Sequence, residues 1–156
     1  MLPTLRRSLS ILPLFALLSC SGSGDSPTGP APTIESTTFA SSLAIDLTQF
    51  TKTATGLYYK DVTVGTGAQV ASGQSVTTNY IGWLANGTQF DIGTLQFTFG
   101  VGAVIAGWDQ GLGGMRAGGT RMLIIPPALG YGTAGSGSKI PGNSILVFRV
   151  SLLSIP

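Results

Sequence analysis

The sequence predicts an α+β domain in which an antiparallel sheet packs against one short helix. Two observations predict this class. Most apolar segments alternate with polar residues at the two-residue period of a half-buried strand, whereas the helical period occurs in one stretch only. Glycine- and asparagine-containing turns separate the strand segments, as in antiparallel hairpins. A single helix beside such strands favours a sheet that is covered by that helix on one face.

The first strand segments lie in the middle of the chain. Leu57–Val64 is rich in aromatic and β-branched residues and is followed by a glycine-containing turn. Ser75–Leu84 has the same character and ends at Ala-Asn-Gly-Thr. Because Asn-Gly accommodates positive φ at both central positions, this ending predicts a type I′ hairpin turn.

Three further segments complete the predicted sheet. In "LQFTFG", Leu95, Phe97 and Phe99 alternate with polar residues, which predicts one buried face. Arg121–Ile125 is a short apolar run that ends at two prolines, and proline cannot donate to a sheet ladder. Alternation resumes over Leu146–Leu152 and closes the chain.

The predicted helix lies in the stretch "VIAGWDQGL". Ile105, Trp108 and Leu112 fall at positions i, i+3 and i+7, which share one helix face. Trp108 stands between Gly107 and Gly111. Because glycine has no Cβ, we interpret these glycines as leaving the indole surface open to a ligand.

The N-terminus has the layout of an export signal. Arg6 and Arg7 precede an apolar run, Ile11–Leu18, that is too short to span a bilayer as a helix. The following "LLSC" matches the cleavage site of a bacterial lipoprotein, so we expect removal of residues 1–19 and lipid on Cys20. An ordinary secretory signal is the alternative. The paired arginines leave the choice between Sec and twin-arginine export open.

The rest of the chain divides into a tether and one domain. Residues 20–42 are dominated by Ser, Gly, Pro, Thr and Ala and are predicted to be a flexible tether. Residues 43–156 are predicted to form the domain, with the segment around Leu43 to Phe50 packed on it. We expect the protein to be lipid-anchored in the bacterial cell envelope, in the periplasm or at the outer membrane. Ser21 after the cysteine favours the outer membrane, since it is not the aspartate that retains some lipoproteins at the inner membrane.

Composition excludes several classes of function. Without the signal the chain carries six basic and six acidic residues, and this neutrality argues against a nucleic-acid partner. The chain has no histidine and one cysteine, so neither a Ser-His nor a Cys-His nucleophile is available. Asp61, Asp91 and Asp109 have no imidazole beside them, and the glycines match neither a dinucleotide-binding nor a Walker A motif. We therefore predict no metal and no cofactor.

Aromatic and branched apolar residues near the predicted turns remain as candidates for a site. Each by itself is compatible with a place in the core. The stretches that contain them are "VTTNYIGWLANGTQFD", "FTFGVGAVIAGWDQGL", "GGTRMLIIPPALGYG" and "IPGNSILVFRVSLLSI". In order and spacing they resemble the FKBP-type peptidyl-prolyl isomerases over about residues 55–155. The resemblance implies a curled antiparallel sheet of five or six strands wrapped around one short helix, and catalysis of rotation about X-Pro bonds.

The resemblance also implies which side chains form the substrate pocket. Trp108 corresponds to the pocket floor under the prolyl ring, and Tyr80, Phe90 and Phe148 correspond to its apolar walls. Leu95 and Phe97 are further candidates for contact with substrate. Proline-containing polypeptides are the implied partners.

The remaining implied residues are polar or lie on the pocket rim. Val104 and Ile105 correspond to the rim, where the Ile105 N–H donates to a substrate carbonyl. Tyr131 offers its hydroxyl to another carbonyl, and Ile140 covers the pocket. Asp91 matches the family's pocket carboxylate, which accepts a hydrogen bond from Tyr80; a loop-capping aspartate is the alternative.

The chain departs from the family beside that carboxylate. Only Ile-Gly-Thr separates Asp91 from Leu95, where the family has a longer stretch with an arginine that pairs with the carboxylate. Leu95 replaces a common aromatic residue, and Ser136 stands where an imidazole is frequent. We expect a retained pocket with weakened affinity for macrolide inhibitors.

Three functions are compatible with this sequence. The leading one is an envelope prolyl isomerase that binds the prolines of exported proteins in an apolar pocket, without covalent or metal chemistry. A second is a non-catalytic, chaperone-like module that binds prolines or apolar segments. A third is a structural lipoprotein domain that has lost the pocket. Acceleration of cis–trans exchange in a proline peptide would separate the first from the others.

Overall fold

The computed structural model describes residues 31–156, which form a six-stranded antiparallel sheet and one short α-helix. The strands are Thr51–Lys52 (β1), Tyr58–Thr63 (β2), Ser75–Leu84 (β3), Gln89–Thr98 (β4), Thr120–Ile125 (β5) and Leu146–Ser154 (β6), and the helix α1 is Ala106–Gly111. Their order along the sheet is β1, β2, β5, β6, β3 and β4. The predicted α+β class, with its curled antiparallel sheet around one helix, is confirmed.

Strands β3 and β4 form the predicted hairpin, but the turn is of a different type. A type I′ turn needs positive φ at both central residues, and of Asn86 and Gly87 only Gly87 has it, at 85°. The Gly87 N–H donates to the Leu84 carbonyl at 2.9 Å, and the Leu84 N–H donates to the Thr88 carbonyl at 2.9 Å. The connection is therefore a three-residue loop that ends in a left-handed glycine, and the type I′ prediction was wrong.

The two glycines of helix α1 face the sheet. A Cβ on Gly107 would lie 2.5 Å from Ile125 Cγ2, and one on Gly111 would lie 2.6 Å from Leu123 Cδ2. Both distances are shorter than non-bonded carbon atoms tolerate, so glycine is what lets the helix approach β5 closely. Our interpretation that these glycines clear space for a ligand is corrected accordingly.

Alternation along the strands divides the apolar side chains between two cores. On the face of the sheet that carries α1, here the helix-side face, Phe148, Val150 and Leu152 join Trp108 in the larger core. On the other face, here the outer face, a smaller core consists of Ile34, Tyr58, Ile124, Ile145 and Val147. Neighbouring residues of β6 thus serve different cores, as the two-residue period of a strand requires.

Residues 31–50 cover the part of the outer face that carries the smaller core. Leu43, Ile45, Leu47 and Phe50 pack on the smaller core, as predicted for this segment. Residues 31–42 also pack there, although they were assigned to the flexible tether. The Ile34 side chain is 2% exposed, and the Ala40 N–H donates to the Ala85 carbonyl at 2.9 Å. Average composition misses this packing because one or two well-placed apolar side chains suffice where an apolar sheet face is already formed.

The predicted signal peptide, residues 1–19, and the predicted lipidation site, Cys20, lie outside the described residues. The same holds for residues 20–30 of the tether. These assignments stay predictions. Among residues 31–156, no helix combines the length and the apolarity needed to cross a membrane.

Candidate active site

A pocket of about 430 Å³, here the aromatic pocket, opens on the helix-side face. Strands β3, β4 and β6, the loop before α1, α1 itself and the loop after β5 all contribute to its lining. The lining residues are Tyr80, Phe90, Asp91, Leu95, Ala103, Val104, Ile105, Trp108, Tyr131 and Phe148. Every one of them except Ala103 was a candidate from the sequence, although they are spread over nearly seventy positions of the chain.

Trp108 forms the floor of the aromatic pocket. Its side chain is 3% exposed. The rings of Tyr80 and Phe148 stand nearly perpendicular to the indole, with centroids 5.2 and 5.3 Å away and interplanar angles of 79° and 86°. Edge-to-face packing of this kind is favourable and holds the rings in defined orientations. The indole therefore offers a flat apolar surface between two fixed walls.

The third wall depends on a glycine that sequence reasoning did not single out. Phe90 packs edge-to-face on Phe148 at 5.4 Å and 87°. Both rings pass over Gly82 of β3, where a Cβ would lie 2.6 Å from Phe90 Cζ and 2.8 Å from Phe148 Cε1. A side chain at this position would force both rings to move. A glycine inside an otherwise strand-like segment was the available signal.

Tyr80 and Asp91 form the polar pair of the pocket. The Tyr80 hydroxyl donates to Asp91 Oδ2 at 2.7 Å, as the resemblance implied. The Ile92 N–H donates to Oδ1 at 2.9 Å. Both carboxylate oxygens therefore accept a hydrogen bond without the arginine that this chain lacks. Asp91 lies within β4, so its position is that of a strand residue and not of a loop cap.

Burial is the main reason why the pKa of Tyr80 rises to about 12. The hydrogen bond to Asp91, the charge of Asp91 and the nearby Tyr131 raise it further. All of these favour the neutral hydroxyl over the phenolate. Tyr80 therefore remains a hydrogen-bond donor at every physiological pH.

The rim before α1 is held by Asp109. Its Oδ1 accepts from the Gly100 N–H at 2.9 Å, and its Oδ2 accepts from the Gly102 N–H at 2.8 Å. These two bonds shape the loop that carries Val104 and Ile105. Sequence reasoning considered Asp109 only as a metal ligand, because its distance from Gly100 along the chain gave no signal of this contact.

Two donors on the rim are available to a ligand. The Ile105 carbonyl accepts from the Trp108 N–H, whereas the Ile105 N–H makes no hydrogen bond within residues 31–156. The Tyr131 side chain is 38% exposed and lines the opening of the pocket. Both groups are placed as the resemblance implied, so they can donate to carbonyl oxygens of a bound peptide.

Two candidates lie in the core and not on the pocket surface. Phe97 is 9% exposed and packs against Trp108, with ring centroids 5.8 Å apart, but it does not line the aromatic pocket. Ile140 is buried in the larger core, and its backbone pairs with Ser136 through hydrogen bonds of 2.8 and 3.2 Å. The Ile140 side chain is 7% exposed and does not line the pocket, whereas we expected it to cover the pocket. Both side chains belong to the core that also contains Trp108 and Phe148.

The arrangement is suited to binding an apolar ring. Aromatic and aliphatic side chains dominate the lining, and its one carboxylate is occupied by internal hydrogen bonds. A prolyl ring against Trp108 would lose contact with water, while the rim donors would orient the flanking carbonyls. Desolvation and positioning are the contributions that such a site can make.

Comparison with known proteins gives a consistent result. Residues 67–153 match the family model described as FKBP-type peptidyl-prolyl cis-trans isomerase. The chain is 46% identical over 105 residues to the FK506-binding protein of Neisseria meningitidis serogroup B, which covers 64% of this chain and 96% of that protein.

Solved structures resemble the fold over the same region. The crystal structure of AtFKBP13 aligns with a TM-score of 0.65 and 38% identity, covering 69% of this chain and 98% of that one. The crystal structure of FkpA from Escherichia coli aligns with a TM-score of 0.65 and 38% identity, covering 74% and 55% of the two chains.

Proposed function

Because this chain belongs to the FKBP-type peptidyl-prolyl cis-trans isomerase family and is a peptidyl-prolyl isomerase, we propose that its clients are exported polypeptides of the bacterial cell envelope. The structural observation that supports this reaction is the aromatic pocket over Trp108, with the hydrogen-bond donors on its rim. The N-terminal sequence supports the location.

The pocket lowers the barrier to prolyl rotation because it destabilises the planar amide more than the twisted amide. Rotation about an X-Pro bond faces a barrier of roughly 18–20 kcal/mol because amide resonance is lost at the twisted geometry. The planar amide is more dipolar than the twisted one, so transfer into an apolar pocket costs the ground state more than the transition state. The Ile105 N–H and the Tyr131 hydroxyl hold the flanking carbonyls, so that rotation occurs about the prolyl bond.

The free-energy difference required for a large acceleration is compatible with this mechanism. A difference of about 1.4 kcal/mol between the two states changes the rate tenfold, so about 5–7 kcal/mol supplies four to five decades. Rotation about a bond transfers no proton, and the absence of histidine from the chain is therefore no obstacle.

Exchange spectroscopy on the peptide Ala-Leu-Pro-Phe tests the reaction. The protein should begin at residue 21, because a fragment beginning near residue 42 would lack Ile34 and so part of the outer core. Acceleration of exchange at micromolar protein is the expected result. Binding of the peptide without acceleration would favour the non-catalytic binding module, which the comparisons do not favour.

Membrane attachment through Cys20 is a separate proposal. The "LLSC" stretch supports it, and lipid on Cys20 would hold the domain near the point where exported chains emerge in the periplasm or at the outer membrane. We expect the full chain in the membrane fraction of a bacterial host, with a mass increase on Cys20. The variant Cys20→Ala should be soluble, and equal membrane retention of both chains would contradict the anchor.

Macrolide inhibitors of the FK506 type are proposed to bind weakly. Leu95 is partly exposed where the family has an aromatic wall, and Asp91 is held by Tyr80 and Ile92 instead of an arginine. Calorimetry should show an affinity well below that for a protein with the aromatic residue. Replacing Leu95 by Phe should strengthen binding, and tight binding to the unmodified chain would contradict the proposal.

A further inference from the structure

Strand β4 lies at the edge of the sheet, next to β3 alone. The Ile92 N–H points away from β3, because it donates to the side chain of Asp91 and not to the ladder. Backbone groups alternate in direction along an antiparallel strand. The N–H and carbonyl groups of Thr94 and Gln96 therefore point outward as well, to the side on which no strand of residues 31–156 pairs with β4.

This edge lacks the usual protection against pairing with another chain. Natural proteins blunt edge strands with lysine, proline, bulges or short length. Strand β4 reads "QFDIGTLQFT", which contains neither lysine nor proline, and its ten residues extend over about 33 Å. Its register with β3 is continuous from Thr98 to Asp91, and the irregularity lies beyond that point.

The free edge is continuous with the aromatic pocket. Phe90, Asp91 and Leu95 of β4 line the pocket, and Gly93 lies between the latter two on the same face. A Cβ on Gly93 would lie 3.6 Å from the Tyr80 hydroxyl, which is an ordinary contact, and Gly93 has no positive φ. Packing thus does not require glycine here, and glycine leaves the position between Asp91 and Leu95 without a side chain.

The other face of β4 also has room for a ligand side chain. Ile92 is 59% exposed on the outer face. It lines a groove of about 420 Å³ together with Ile81, Thr94 and Arg149. Side chains of a strand added beside β4 would alternate between this groove and the aromatic pocket, since alternation continues across a sheet.

We propose that the free edge of β4 binds the extended backbone of the client polypeptide that flanks the proline. The client forms a seventh strand, paired with the outward groups of Thr94 and Gln96. The inference rests on the proposed isomerase function, because the occupant is the same polypeptide whose proline enters the pocket. Backbone pairing does not depend on client sequence, so it gives affinity for unfolded segments in general.

Peptides of two lengths test the edge on the unmodified protein. The first is Ala-Leu-Pro-Phe, and the second has the same core within twelve residues of β-forming sequence. Affinity is measured by fluorescence anisotropy and kcat/KM by exchange spectroscopy. We expect about tenfold tighter binding of the long peptide, which corresponds to about 1.4 kcal/mol. A long peptide with N-methyl groups at alternate flanking positions should bind like the short one.

A proline substitution tests the same contact from the protein side. Gln96→Pro removes one outward N–H and is tolerated sterically at a sheet edge. Gln96→Val is the matched control, because it changes the side chain and keeps the N–H. We expect Gln96→Pro alone to lose the advantage of the long peptide, with kcat/KM for the short peptide unchanged. Amide exchange at Thr94 and Gln96 should slow when the long peptide binds.

The two proposals fail in distinguishable ways. If the long peptide has no advantage, or keeps it with N-methyl groups or in Gln96→Pro, the edge proposal is wrong and the isomerase is untouched. If neither peptide is accelerated, the proposed function is wrong, and the binding measurements still decide the edge proposal. Misfolding of Gln96→Pro leaves the N-methylated peptide as the deciding experiment.

Discussion

The helix-side and outer faces of the sheet are built from the same kind of residue and serve different purposes. Both carry aromatic and branched side chains at alternate strand positions. On the outer face, residues 31–50 of the chain cover much of this surface. On the helix-side face, α1 covers only part of it, and about 430 Å³ stays open above Trp108. An apolar surface becomes a binding site where the chain leaves it uncovered.

Each face also has one tyrosine that donates to a carboxylate at 2.7 Å. On the outer face Tyr58 donates to Glu35, which also pairs with Lys52, so the pair joins the N-terminal segment to β1 and β2. On the helix-side face Tyr80 donates to Asp91 within one hairpin. The Tyr58–Glu35 pair fixes the segment that covers the outer face, and the Tyr80–Asp91 pair fixes one wall of the aromatic pocket.

The largest expected effect is a loss of stability when the core of the outer face is disrupted. Ile34→Ala should lower the free energy of unfolding by about 3 kcal/mol, because it leaves a cavity in the outer core. Denaturant unfolding measures the loss, and Ile34→Val should cost about 1 kcal/mol. Activity on a short peptide should not change, since Ile34 lies across the sheet from the pocket. A matching loss of kcat/KM in the folded variant would show that the two faces are coupled.

The open face should respond in the opposite way. Trp108→Leu should reduce kcat/KM for the short peptide by about a hundredfold, or about 2.7 kcal/mol, because the flat pocket floor is lost. The matched control is Trp83→Leu, which changes the tryptophan that packs on the outer core. The control should unfold more easily and keep its activity. Equal activity of the two variants would disprove the assignment of Trp108 as the floor.

The two tyrosine pairs allow the same comparison with a smaller change. Tyr80→Phe keeps the ring and removes the hydroxyl that Asp91 accepts from, so we expect about a tenfold loss of kcat/KM, or about 1.4 kcal/mol. Tyr58→Phe makes the identical change on the outer face and should leave kcat/KM unaltered. If Tyr58→Phe slowed catalysis as much, the effect would come from general loosening of the sheet.

Alkaline titration sharpens the comparison further. The pKa of Tyr80 is raised from 10.0 to about 12, mainly by burial. Its neutral form therefore contributes stability that is complete below pH 10 and is lost as pH rises through 12. Ultraviolet absorbance should show a tyrosine ionisation near pH 12 that is missing in Tyr80→Phe. In Asp91→Asn its pKa should fall but stay above 10, because burial remains.

The smallest expected effect is on the stability of the protein at acidic pH. Hydrogen bonds from Lys52 and Tyr58 lower the pKa of Glu35 from 4.5 to about 2. The stability this gives is present above pH 4.5 and is lost as pH falls through 2. Glu35→Gln should slightly weaken the acid dependence of unfolding, as expected of an exposed pair. Short-peptide activity is the control here and should match that of the unmodified chain.

Local pattern predicted most of the scaffold. The bounds of β3 agree with the predicted Ser75–Leu84, and α1 lies where Ile105, Trp108 and Leu112 indicated a helix. Most of the pocket lining followed from the resemblance, since aromatic residues near turns are also frequent in cores. Phe97 and Ile140 show the limit of that reasoning, because both are apolar and belong to the same core as Trp108 but do not line the pocket.

Two of the errors share one physical origin. Gly107 and Gly111 were assigned to the ligand side, and residues 31–42 to a flexible tether. In each case the decisive neighbour is distant in sequence: Ile125 and Leu123 for the glycines, and the outer core for Ile34. Asp109 likewise acts on backbone groups that no local motif connects to it.

The sequence by itself determined which residues share a strand face and where the α-helix lies, because the periods of two and of about 3.6 residues are properties of the local backbone. Tertiary structure alone decided which face is covered, which aromatic side chains line the pocket, and which strand is left with an unpaired edge. These depend on contacts between segments far apart in the chain, whose energies come from packing and burial at distances that no local pattern encodes.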